Sequence, residues 1–200
     1  MARPPRPERK TELLEQILDF LLDKSLADLT FRSLADGLGI SSYVLVYHFG
    51  NREQLVSEII RGIESRFDRH RPGPEHLSLP ELVLWARAVF ALSLESRGRH
   101  LQRLQFEAAV QDVVAEHPRG SSAEDYLSWC AFLASWLEEE GLETHDAVVR
   151  SRTFVASTIG ILYDYVICGD RKAVAASFEM LADAFVRQLE ATRPSLEGGR

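Results

Sequence analysis

The chain has 200 residues, 46% of them apolar and 26% charged, with a formal net charge of -7. That is apolar material enough for one compact unit or for a small head on a larger body, and it argues against disorder anywhere but the ends. The acidic balance excludes a protein that coats nucleic acid over its whole surface, while leaving room for a local basic face.

In chain order, the opening MARPPRPERK is cationic, and no continuous apolar run follows it, so it does not read as a secretory signal. Its Arg3, Arg6, Arg9 and Lys10 suit either an arm lying along or inside a minor groove or a solvated basic tail. Helical periodicity recurs from there onward and no strand-like alternation survives, so the expected fold class is all-α. A first helix is expected from about Glu8 to Lys24, with Leu14, Ile17, Leu18 and Leu21 on one stripe and Pro7 at its entry. Thr30 has N-cap chemistry for a second, short helix whose apolar face is Phe31, Leu34, Ala35 and Leu38, and Gly39 ends it. Ser41 or Ser42 caps a third helix with Leu45 and Phe49 inward; Gly50 and Asn51 break it. A fourth helix runs from about Arg52 toward Arg69, with Leu55, Ile59 and Ile63 inward.

The segment RPGPEHLSLP, residues 71–80, holds three prolines and a glycine and reads as a linker. It separates a head, residues 1–70, from a body, residues 71–200. Up to residue 66 nine Lys/Arg face ten Asp/Glu; beyond it fourteen face twenty, so the body carries most of the negative charge. Helices are expected at 81–95, 101–116, 124–140, 146–168 and 171–191, with breaks at RGR, HPRGSS, GLET and GD and a loose SLEGGR tail. The most apolar stretch, TIGILYDYVIC, is interrupted by Asp164 and is too short to span a bilayer. Cys130 and Cys168 sit in apolar surroundings and read as buried thiols in a reducing compartment, which points to the cytoplasm.

Between 146 and 191 two helices carry more apolar surface than one subunit core needs. Val155, Ile159, Leu162 and Val166 form one stripe and Phe154, Ile161 and Tyr165 another, while Val174, Phe178, Leu181, Phe185 and Leu189 follow heptad-like order. Two such helices from each of two copies would build a four-helix homodimer interface, with Val155, Ile159, Leu162, Val166, Val174, Phe178, Leu181 and Phe185 as its expected residues; the alternative is an internal hairpin in a monomer.

The stretch from Phe31 to Phe49 has helix-turn-helix spacing: Ala35 where two helices cross, Gly39 in the turn, then Ile40 and Leu45 pinning the second helix on the first. With Leu45 and Phe49 committed inward, Ser42, Tyr43, Val46 and Tyr47 project outward, as a recognition helix presents side chains to a major groove. His48 and Arg52 flank its far end, where phosphates of double-stranded DNA would lie.

The stretch TFRSLADGLGISSYVLVYHFGNREQL resembles the N-terminal signature of the TetR family of transcriptional regulators, over about the first third of the chain and without insertion. The resemblance implies a ligand-responsive, homodimeric repressor that reads an operator. It further implies that Thr30 and Ser41 stand at helix starts facing phosphate, that Arg32 reaches a base edge, that Ser42, Tyr43 and Val44 face bases, and that Tyr47, His48 and Arg52 hold the backbone. The family's usual tyrosine falls here on Val46, which cannot donate to phosphate: either Tyr47 replaces it from a neighbouring angle or that contact is absent. Val44 replaces a common threonine and offers an apolar group suited to a thymine methyl.

The resemblance also implies an internal pocket for a small apolar or aromatic effector, with Trp85, Phe106, Tyr126, Trp129, Trp136 and Tyr163 as candidate lining residues. Read from the residues alone, the aromatics Trp85, Phe90, Phe106, Tyr126, Trp129, Phe132 and Trp136 read as core sooner than as the lining of a cavity. Gln105, Glu107, Tyr163 and Asp164 are polar groups able to orient a ligand. There is no phosphate-cradling glycine loop, zinc-helix motif or nucleophile elbow. His48, His70, His76, His100, His117 and His145 are scattered without ligand spacing, so no metal and no cofactor are expected. The competing class of function is a helical small-molecule carrier or enzyme whose head is vestigial or binds protein.

Overall fold

Serine, threonine and glycine residues punctuate the chain, and most of the helices start or stop at them. In a computed structural model of the protein, residues 7–68, 72–73, 77–116 and 120–192 are described. Among them lie α1 (Pro7–Phe20), α2 (Phe31–Leu38), α3 (Ser42–Phe49), α4 (Arg52–Asp68), α5 (Leu79–Ser93), α6 (Ser96–Val113), α7 (Ser121–Glu139), α8 (Thr144–Cys168) and α9 (Arg171–Thr192). A 3-10 turn at Leu26–Asp28 is the remaining regular element, and the described residues contain no strand: the fold is all-α.

Several expected boundaries move. α1 stops at Phe20 rather than Lys24, because the backbone bonding tightens there: Leu22 and Lys24 donate three residues back, to Asp19 and Leu21, which turns the chain into the 3-10 segment capped by Ser25. The expected break at RGR is absent. α6 already begins at Ser96 and carries Gly98 buried in its first turn. Arg97, in the same turn, pairs with Glu15 and Asp19 of α1. α5 starts early as well, since Glu81 accepts from both the amide and the hydroxyl of Ser78 and Pro80 occupies the first turn. Residues 71 and 74–76 of the linker, 117–119 of the HPRGSS break, and the SLEGGR tail lie outside the described residues.

By packing the chain forms two units, Met1–Arg71 with Glu95–Tyr126, and Pro72–Leu94 with Leu127–Arg200. In the first, Leu13, Ile17 and Leu18 of α1, Leu34 of α2, Leu45 and Phe49 of α3 and Ile59 of α4 share one core with Leu101, Leu104 and Ala108 of α6. Packing therefore joins α6 to the helix-turn-helix, although a division of the sequence at residue 70 separates them. Gly37 lies under the ring of Phe20, where a Cβ would come within 2.0 Å of it, so a larger residue there would displace that ring.

In the second unit α8 and α9 form an antiparallel hairpin. Gly169 closes α8 in a left-handed conformation and Asp170 accepts from the amides of Lys172 and Ala173 at the start of α9. Phe178 stacks on Phe90 of α5 at 3.9 Å, and Arg87 of α5 reaches Glu179 and Asp183 of α9. This hairpin corrects the expected interface. Leu162, Val174, Phe178 and Phe185 are buried by the chain's own side chains and serve the subunit core, whereas Val155, Ile159, Val166 and Leu181 are half-buried. The exposed faces are different ones: Thr153, Ala156, Gly160, Tyr163 and Ile167 on α8, and Ala173, Ala176 and Met180 on α9. Cys130 is buried as expected; Cys168, at the end of α8, is exposed.

Gly39 is the one turn residue whose conformation sets the angle between α2 and α3. Its φ is +64° and a Cβ placed there would meet nothing within 4 Å, so Gly39→Ala meets a backbone penalty and no clash. The substitution is expected to cost about 1 kcal/mol, read as a lower urea midpoint with an unchanged slope.

Candidate nucleic-acid interface

Thr30 starts α2 with a reciprocal cap: its hydroxyl accepts from the Ser33 amide at 3.0 Å, and the Ser33 hydroxyl accepts from the Thr30 amide at 3.1 Å. At the other end the amides of Gly39 and Ile40 both donate to the carbonyl of Ala35. Ser41, not Ser42, caps α3, accepting from the Tyr43 amide at 3.2 Å. Leu45 and Phe49 are buried, and this rotation of α3 decides which side chains reach solvent.

Tyr43 is 75% exposed, Val46 47% and Tyr47 43%, and Ser42 is exposed beside them. The Tyr43 and Tyr47 rings lie nearly parallel with centroids 6.4 Å apart, and His48, half-buried, meets Tyr47 edge-on at 5.2 Å. Val44 departs from expectation. It is half-buried and packs against the core of the unit, so it does not stand on the outer face with the base-facing candidates. On α2, Thr30 and Arg32 are exposed on either side of the helix start.

The basic residues near the N-terminus divide. Arg3 and Arg6 lie outside the described residues, whereas Arg9 and Lys10 belong to α1 and not to a free arm: Arg9 pairs with Glu12, and Lys10 pairs with Glu58 of α4 at 3.0 Å. Arg52 is likewise turned inward. Its Nε donates to the carbonyl of Leu29 at 3.0 Å and its Nη2 to that of Leu26 at 2.7 Å, so the guanidinium expected to hold phosphate instead fixes the turn that leads into α2.

A second group grips the same turn from α6. Glu107 accepts from the Leu26 amide at 2.6 Å and from the Ser25 hydroxyl at 2.9 Å; Arg103 pairs with Glu107 and donates to the carbonyl of Leu21 at 2.8 Å. Sequence reasoning noticed Glu107 only as a polar group for a ligand and did not consider Arg103. Their spacing of four residues on one helix face was the available signal.

The aromatic candidates for an effector site separate as well. Trp136 is fully buried and its indole donates to the carbonyl of Leu77 at 2.7 Å, which makes it a core residue of the second unit. Trp85 stacks on Trp129 at 5.7 Å and meets Phe132 edge-on at 5.2 Å, and the Trp85 indole nitrogen is buried without an acceptor among the described residues. Tyr163 is 52% exposed on the outer face of α8. Phe106 and Tyr126 are half-buried in the first unit. Among the described residues no three His, Cys, Asp or Glu side chains are grouped to hold a metal ion, and no helix is long and apolar enough to cross a membrane. His70, His76 and His117 lie outside the described residues.

No family model matches the chain. Over 118 residues it is 31% identical to the HTH-type transcriptional repressor KstR2 of Mycobacterium tuberculosis, a match spanning 58% of this chain and 58% of that repressor. Among solved structures it is similar to a transcriptional regulator from Pseudomonas aeruginosa PAO1, with a TM-score of 0.71 at 19% identity over 94% of each chain. It is also similar to a TetR-family transcriptional regulator from a Rhodococcus species, with a TM-score of 0.68 at 16% identity over 88% of this chain and all of that one. At such identity the structural likeness establishes the fold.

The grip on the Leu26–Asp28 turn is open to a direct check. Glu107→Ala strips the acceptor from the buried Leu26 amide and is expected to lower stability by about 1–3 kcal/mol in urea unfolding. Glu107→Gln keeps an acceptor oxygen and should lose less; equal losses would mean that the charge, not the amide bond, matters.

Proposed function

The chain has the fold of the TetR-family transcriptional regulators over most of its length, and from that premise we propose that it is a sequence-specific, DNA-binding transcriptional regulator. In this reading residues 1–70 form the DNA-binding head and residues 71–200 the body for effector binding and dimerisation. The protein works in the cytoplasm as a homodimer and represses until a small apolar or aromatic molecule binds. It has no catalytic step. The observation that carries the proposal is the rotation of α3: burial of Leu45 and Phe49 leaves Ser42, Tyr43, Val46 and Tyr47 on a single solvent-facing surface behind a capped turn. Thr30 and His48 border that surface and supply groups for the phosphates, and Arg32, exposed in the first turn of α2, reaches for a base edge.

For the effector, the stacked Trp85 and Trp129 offer aromatic faces, and the unsatisfied indole N–H of Trp85 offers a donor to an acceptor on the ligand. Effector and operator affinities are then linked. A ligand weakens DNA binding only as far as it prefers the conformation that does not bind, and DNA must weaken ligand binding by the same factor.

Selection from a random duplex library tests DNA reading. The expected result is an enriched two-fold symmetric sequence whose affinity falls as salt rises from about 50 to 200 mM, because cations on the phosphates release counterions. No enrichment, or binding indifferent to salt, would sink the proposal.

For the dimer, the exposed stripe of α8 and α9 is the proposed contact. Gly160→Glu points a carboxylate into it where an added Cβ meets nothing within the chain itself, so the subunit should stay folded. Sedimentation should show monomers with undiminished helical circular dichroism; an intact dimer would remove this stripe from the interface.

A further inference from the structure

We infer that α3 reads thymine through the 5-methyl group, with Val46 as the residue that makes the discriminating contact. The inference rests on the proposed DNA-reading function and names what that surface recognises. The strongest major-groove readout of a purine by a side chain comes from a group that makes two bonds at once: arginine or lysine for guanine, asparagine or glutamine for adenine. α3 has none of these. Its eight residues, SYVLVYHF, include no amide, guanidinium, ammonium or carboxylate. Of the eight, Val44, Leu45 and Phe49 are turned wholly or partly into the core and His48 is half-buried.

The outer face is thereby reduced to one short hydroxyl on Ser42, two phenol rings and the isopropyl group of Val46. Val46 lies three residues from Tyr43 and adjoins Tyr47, and these two rings stack at 6.4 Å across one helical turn. The valine is 47% exposed, a β-branched group with few rotamers, and so a firm apolar bump at the edge of an aromatic wall. Against a major groove such a surface can gain from burying an apolar group, and thymine's methyl is the apolar group the four base pairs present there. Cytosine and the purines offer polar edges that this face, Ser42 and the phenol hydroxyls aside, leaves unpaired.

The test replaces thymine by deoxyuridine, one position at a time, in a synthetic duplex of the sequence selected from the random library. Deoxyuridine keeps every hydrogen-bonding atom and removes only the methyl. One thymine in each half-site is expected to lose about fourfold in affinity on replacement, the value of one buried carbon group, at a fixed salt concentration. Val46→Ala should bind the thymine duplex more weakly by a similar factor and become indifferent to deoxyuridine at that position, with binding to random DNA unchanged. If no deoxyuridine position weakens binding, or if Val46→Ala stays fully sensitive, the inference is overturned while sequence-specific binding stands. A library that yields no preferred sequence overturns the proposed function and this inference together.

Discussion

The turn from Leu26 to Leu29 has no regular hydrogen bonding of its own beyond two 3-10 bonds, from Asp28 to Ser25 and from Leu29 to Leu26, yet it sets where α2 begins. It is held from two sides by side chains of opposite charge. Arg52 takes its carbonyl oxygens and Glu107 takes its first amide, so the two ends of the peptide dipoles meet complementary groups. A short turn held in this way is stiff, and its stiffness is passed directly to Thr30 and the start of α2. Because α3 is pinned on α2 through Ile40 and Leu45, the orientation of the outward face follows from that grip.

The protein carries net negative charge, and little of the positive charge described near the helix-turn-helix is left unengaged. Its cations near the head are mostly engaged within it: Lys10 on Glu58, Arg66 and Arg97 on Glu15, and Arg52 on backbone carbonyls. Such pairs, partly exposed, contribute little to stability individually. Their effect is on placement, because each ties α1, α4 or α6 to another helix of the unit. What remains on the outside of α3 is mainly aromatic and apolar, so under the proposed function its recognition rests on shape and methyl contact more than on charge.

In the second unit a different constraint operates. α8 and α9 each carry two apolar faces, and one of them must cover α5 and the hairpin itself. The large groups, Phe154, Phe178 and Phe185, take that role because rings fill the space between helices that small residues cannot. Ala156, Gly160, Ala173 and Ala176 are left on the outside, where small residues would let a second backbone approach closely.

The sequence by itself determined the helical class, the cap at Thr30, a serine cap on α3 at either Ser41 or Ser42, the left-handed turn at Gly39 and the inward pair Leu45 and Phe49. These depend on neighbours within a few residues, which a linear pattern records. It also carried the helix-turn-helix through spacing alone. Only the tertiary structure decided that Arg52 faces backbone carbonyls, that Val44 turns toward the core, and that Glu107, about eighty residues away in sequence, holds the turn before α2. It likewise decided which apolar stripe of α8 and α9 is covered. An amphipathic pattern shows that a face needs a partner, but with two such faces on one helix the choice depends on which large side chains find matching space across the packed helices, and that space exists only once the chain has folded.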